Sequence, residues 1–160
     1  MATSTNTKKR TSTSTLPRVA ANEMGKLPPQ ALELEESVLG ALLIEKDAFA
    51  TIADLLRPES FYSVQHSVIF EAIRSLAAKD APIDILSVVE QLRSSGDLEK
   101  AGGVVYLSEL TRRVASAAHL RYHAQIVAQK STARDLISMA CQIEEKGYDE
   151  TQDIDVLMQE

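Results

Sequence analysis

Pro28-Pro29-Gln30-Ala31-Leu32-Glu33-Leu34-Glu35-Glu36-Ser37-Val38-Leu39-Gly40-Ala41-Leu42-Leu43-Ile44 sets the reading of the whole chain. Leu32, Leu39, Leu42 and Leu43 recur at helical spacing, which predicts a helix over about 31–44. Pro28 and Pro29 are barred from a helix interior, so they fix where it begins. Glu33, Glu35 and Glu36 fall in the first two turns, where unpaired backbone N–H groups favour negative charge. Gly40 is the odd residue, because it costs about 1 kcal/mol against Ala in a helix interior. Its presence predicts a structural role, with another backbone pressed against that point.

Reading on from this helix, Asp47 is placed to cap a short second helix carrying Phe49, Ile52, Ala53, Leu55 and Leu56, and Pro58 ends it. Phe61 and Tyr62 are expected to plug the core from the connection. Ser63 caps a third helix whose apolar positions are Ile69, Phe70, Ile73, Leu76 and Ala77. His66 lies in its first turns. No second His or Cys stands nearby at metal-ligand spacing, so its expected role is structural, as a donor to a nearby carbonyl. Asp84 caps a fourth helix with Ile85, Val88, Val89 and Leu92 buried, Ile83 stapling to Val88, and Gly96 as its stop. Gly102-Gly103 leads into a fifth helix with Tyr106, Leu107 and Leu110. The glycine pair is no phosphate loop, since the Lys-Ser/Thr and the preceding strand of that motif are missing.

Ser116 is a cap for a last, long helix over about 117–146, with Gly147 as its stop. Its apolar residues include Leu120, Ile126, Val127, Ala133, Leu136, Ile137, Ala140 and Ile143, interrupted at Gln129-Lys130-Ser131. The first half is expected to cover the head and the second to project, keeping an apolar face for a partner. Asp153-Ile154-Asp155-Val156-Leu157-Met158 reads as the start of a further helix. The fold class is therefore all-α. A tail over 1–26 precedes a globular helical head over 27–116, and 117–160 forms the long helix and the start of a truncated helical hairpin.

Composition agrees with that class. The 160 residues are 44% hydrophobic but only 4% aromatic, a mix rich in Ala, Leu, Ile and Glu that favours helices over sheets. The net charge of −6 argues against this chain as a main nucleic-acid contact. Cys141 is the single cysteine, which excludes an internal disulfide and a cysteine-built zinc site; it is expected to pack as a small apolar residue in a reducing, cytoplasmic setting. No apolar run approaches a membrane span. Residues Met1–Lys26 are rich in Ser and Thr, carry Lys8-Lys9-Arg10, and have too little apolar surface to offset the entropy of ordering, so they read as a disordered tail. A transit peptide has a similar composition, but no amphipathic stripe exists before Leu16. No catalytic constellation is present: the carboxylates fall at the helix start or on solvated faces, and Arg112-Arg113 read as exposed charges.

Four groups of residues, in order, resemble one family, the N-terminal domain of DnaB-type replicative DNA helicases. They are Pro28-Pro29 with Leu32, Glu33-x-Glu35 and Val38-Leu39-Gly40; Phe61-Tyr62 with His66 and Ile69-Phe70; Pro82-Ile83-Asp84; and Gly102-Gly103 with Tyr106-Leu107 and Leu110. Family members often carry Ser where Ala31 stands, and Ala31 has no side-chain oxygen to cap the helix. The resemblance implies a collar module. Six such domains self-associate above a motor ring as a trimer of dimers, and the hairpin of each begins with the long helix. It also implies docking of the primase C-terminal domain, with Ile137, Ile143, Tyr106 and Glu33 as the residues expected at the primase or oligomer interface. ATP, Mg and DNA belong, by the same resemblance, to a separate motor domain, so this chain itself needs no cofactor and is not expected to be an enzyme. The alternative from the sequence is a free-standing helical adaptor of the same fold with no motor domain.

Overall fold

The computed structural model describes residues 25–114 and 116–148. The tail reading therefore lies outside the described residues except at Gly25 and Lys26, and so does the further helix read at 153–158. Among the described residues there are five α-helices and no strand: α1 (Leu32–Ile44), α2 (Val64–Ala78), α3 (Ile85–Ser95), α4 (Gly103–Arg113) and α5 (Leu120–Tyr148).

α1 is the central element, packed mainly against α4 and α5. Every residue from Val38 to Leu43 is buried. A helix covered on all sides needs apolar residues all round, and the run Val38-Leu39-Gly40-Ala41-Leu42-Leu43 supplies them. Gly40 is where α4 crosses. A Cβ built there would stand 2.4 Å from the Leu110 carbonyl oxygen and 2.7 Å from Val114 Cγ2. Backbone against backbone is thus the reason that this glycine is tolerated mid-helix, as its position predicts. Around α1 the core is completed by Ile69, Phe70 and Ile73 of α2, Val88 and Leu92 of α3, Leu107 and Leu110 of α4, and Leu120, Ala124 and Val127 of α5.

The helix starts follow local chemistry. Ser63 Oγ accepts the His66 backbone N–H at 3.4 Å, and Asp84 Oδ1 accepts that of Ser87 at 2.8 Å. Gly96 ends α3 in the left-handed region at φ 77°. Ala31 makes no side-chain cap.

Elsewhere the structure departs from expectation. Asp47 does not cap a helix through its side chain; its backbone is left-handed at φ 62°, a conformation Asp tolerates, and only a 3₁₀ turn follows at Ala48–Thr51. Pro58 opens a second 3₁₀ turn, Pro58–Ser60, since a residue without an N–H suits a first helical position. Phe61 does plug the core, its ring 4.9 Å from that of Phe70, but Tyr62 stays 37% exposed. Ser116 Oγ accepts the Ala118 N–H at 3.1 Å, yet the long helix begins at Leu120 rather than Ala117, after a turn. Gly147 does not stop α5. It keeps a negative φ, and the helix runs on to Tyr148. Cys141 is exposed rather than packed, because α5 has by then passed the head.

Candidate functional site

Two features are candidates: a polar cluster inside the head and an uncovered face on the far half of α5. The cluster starts from Glu35, the fourth residue of α1, which is 1% exposed. Its carboxylate accepts the backbone N–H of Tyr62 at 2.7 Å and of Ser63 at 3.3 Å, so it caps the start of α2 from another helix. His66 Nδ1 lies 2.7 Å from the same carboxylate, which as an acceptor fixes the ring proton on Nδ1. On the other side of the ring, Nε2 is 2.7 Å from the Tyr106 hydroxyl of α4. That hydroxyl also faces Glu36 at 3.4 Å, and Arg113 bonds Glu36 at the surface. Burial, followed by the charge and hydrogen bond of Glu36, pushes the Tyr106 phenol up to about 12; Arg113 acts in the opposite sense and Glu35 adds to the rise. The cluster ties α1, α2 and α4 together, and each of its groups has a protein partner. A saturated network of this kind positions helices and leaves no reactive group free.

Glu35 is thus more than a complement to the helix start, and His66 bonds a carboxylate and a phenol instead of a carbonyl. Arg113 is not a bare charge, since it pairs with Glu36. Asp84 is the cap expected of it, and Gly40 the close approach.

The second feature is on α5. Leu120, Ala124, Val127, Ser131, Arg134 and Ser138 follow one another at four- and three-residue steps, so they share the face turned to the head. Leu120, Ala124, Val127 and Arg134 are buried, Ser131 and Ser138 half-buried. Leu136, Met139 and Ile143 form a separate stripe at i, i+3, i+7, exposed by 61%, 57% and 57%. Ile143 stands nine residues after Arg134, about two and a half turns, and so points away from the head-facing stripe.

The four residues expected at an interface are not brought together. Ile143 is on the exposed stripe, while Ile137 lies beside it and is half-buried. Tyr106 is held in the head by His66 and Glu36, and Glu33 is exposed in the first turn of α1. Sequence reasoning missed Met139 and the stripe that it makes with Leu136, although their spacing with Ile143 is legible. It also missed Arg134, because a head-facing stripe sought among apolar residues alone has no place for a guanidinium.

Among the described residues no three or more His, Cys, Asp or Glu side chains are grouped to hold a metal. No helix there is long and apolar enough to cross a membrane.

Comparison with known proteins gives these features a context. The family model "DnaB-like helicase N terminal domain" matches residues 27–129. The replicative DNA helicase DnaB of Rhodothermus marinus is 46% identical over 138 residues, which is 86% of this chain and 15% of that protein. The DnaB of Geobacillus stearothermophilus is 42% identical over 135 residues, 84% of this chain and 30% of that one. The chain thus spans well under half the length of these relatives. Among solved structures, the N-terminal domain of DnaB helicase from Mycobacterium tuberculosis superposes with a TM-score of 0.79 at 36% identity, covering 83% of this chain and 94% of that one. A second neighbour, a DnaB-like replicative helicase described with its interactions with primase, gives a TM-score of 0.63 at 31% identity, covering 72% of this chain and 27% of that one.

Proposed function

This chain belongs to the family of DnaB-like helicase N-terminal domains, and from that premise we propose that it is an assembly and recruitment module of a replicative helicase. In this reading the head packs into a hexameric collar, and the arm formed by the far half of α5 receives the C-terminal domain of primase. ATP hydrolysis and DNA unwinding belong to the remainder of the longer protein, which works in the cytoplasm. The observation that carries the reading is the stripe Leu136, Met139 and Ile143. It is apolar, exposed and on a regular helix. A helix face of that kind suits helix-on-helix docking with a polar rim. The neighbour described with primase supports the choice of partner.

The test is the affinity of this chain for the matching primase C-terminal domain, measured by calorimetry. Ile143→Gln removes an exposed apolar group without touching the core. It is expected to weaken binding about 10-fold or more, the scale of a central interface residue, with far-UV circular dichroism unchanged. Unchanged affinity for both Ile143→Gln and Leu136→Gln would remove the arm from the docking surface. Sedimentation of the chain with and without primase reads the self-association part independently.

A further inference from the structure

Arg134 is the one charged residue on the head-facing stripe of α5, and it is 9% exposed. Among the described residues its partners are carbonyls and a ring, not carboxylates. Its Nη1 donates to the Pro29 carbonyl at 2.8 Å and its Nη2 to the Ser60 carbonyl at 2.7 Å. The guanidinium carbon also lies 5.7 Å from the centre of the Tyr62 ring. Pro29 belongs to the lead-in to α1, and Ser60 to the 3₁₀ turn before α2. One planar group on α5 therefore grips two separate irregular segments of the head.

Two attachment points do what one cannot. A single hydrogen bond leaves a helix free to roll about its axis, whereas two diverging bonds from a rigid fork fix roll and tilt together. The position along α5 matters as well. Leu120, Ala124 and Val127 hold the first two turns, Ser131 adds only a small side chain, and Arg134 is the last buried residue among those described. Without it, the buried residues of α5 lie in its first two turns alone.

We infer that Arg134 is a positioning residue, a latch that sets the direction in which α5 leaves the head and hence the orientation of the exposed stripe beyond it. The consequence for docking rests on the reading of the previous subsection; the latch itself does not. Rocking of α5 about Val127 by about 10° carries Cys141, fourteen residues on, through about 4 Å.

The natural cysteine makes this measurable, because Cys141 is the single cysteine and is exposed on the arm. A spin label there and a second at Glu90→Cys, an exposed position on α3, report the head-to-arm distance by pulsed electron resonance. With Arg134 in place a single narrow distribution is expected. R134M keeps the apolar stem but loses both bonds, and its distribution is expected to broaden by about 4 Å while helicity is retained. R134K is expected to fall between, since an ammonium reaches one carbonyl at a time. A broad distribution in the unaltered chain, or an unchanged one in R134M, overturns the latch. Should R134M fail to fold, R134K decides by the same criterion. A residue that only adds stability would lower the melting temperature and leave the distance distribution of the folded protein narrow. Primase is absent from this measurement, so failure of the docking reading shows separately, as unaltered affinity in the Ile143 and Leu136 variants.

Discussion

Tyr106 holds its hydroxyl between the His66 ring and the Glu36 carboxylate, 40 and 70 residues away in the chain. The phenol's rise to about 12 from an ordinary 10.0 has a thermodynamic consequence. The folded state keeps the phenolic proton more tightly than the unfolded chain does. Below pH 10 both states hold it, and the full contribution to stability is present; between pH 10 and 12 the unfolded state releases it first, and that contribution is lost. Denaturant unfolding followed from about pH 8 to about pH 11.5 should show stability falling above the ordinary phenol value. Y106F has no proton to lose and should show a shallower fall, at a neutral-pH cost of about 1 kcal/mol for the missing hydrogen bond. An equally steep fall in Y106F would assign the effect to other groups. At this scale the sequence was half legible. The lack of a second His or Cys at metal-ligand spacing made a structural role the expectation for His66, but nothing local showed that Glu35 and Tyr106 are its partners. Those contacts come from helix packing.

At the scale of elements, the caps that depend on three or four neighbouring residues could be read directly. Ser63, Asp84 and Gly96 do what their types and positions predict. Ala31 is the informative exception, because α1 starts without a side-chain acceptor even though its backbone carbonyl already receives the N–H groups of Leu34 and Glu35. Ala31→Ser supplies the missing oxygen at a half-buried position where the added atom is small. It should stabilise the protein by about 0.5–2 kcal/mol, read as a rise in Tm of about 2–4 °C per kcal/mol. A lowered Tm would mean that the backbone at 31, with φ −150° and ψ 65°, does not present the side chain to the first turn. The elements that misled were those where a signal had two uses. Asp47 serves a left-handed turn rather than a cap, Pro58 opens a turn instead of ending a helix, and Gly147 sits in an exposed last turn where its cost of about 1 kcal/mol is not enough to break the helix.

For the whole molecule, the question is how much of α5 belongs to the head. The polar break at Gln129-Lys130-Ser131 suggested that the head ends there, yet the structure extends the contact to Arg134, whose guanidinium is satisfied by main-chain carbonyls. Two shortened chains separate the wall from the arm. One ending after Ser138 keeps every buried residue of α5 and, among the described residues, discards only the largely exposed turns 139–148. It should unfold in one cooperative step with a Tm within a few degrees of the parent's. One ending after Ser116 removes Leu120, Ala124 and Val127 and uncovers the face of α1 that they seal. Burial of a Leu or Val is worth about 1.5–3 kcal/mol each, and the uncovered face of α1 loses a similar amount. Against a total of about 5–15 kcal/mol for a typical domain, that loss takes most of the stability. Thermal melts followed by circular dichroism should therefore show no cooperative transition for the shorter chain. If it instead melts sharply near the parent's Tm, the first half of α5 is an appendage, and the core is closed by α1 to α4 alone.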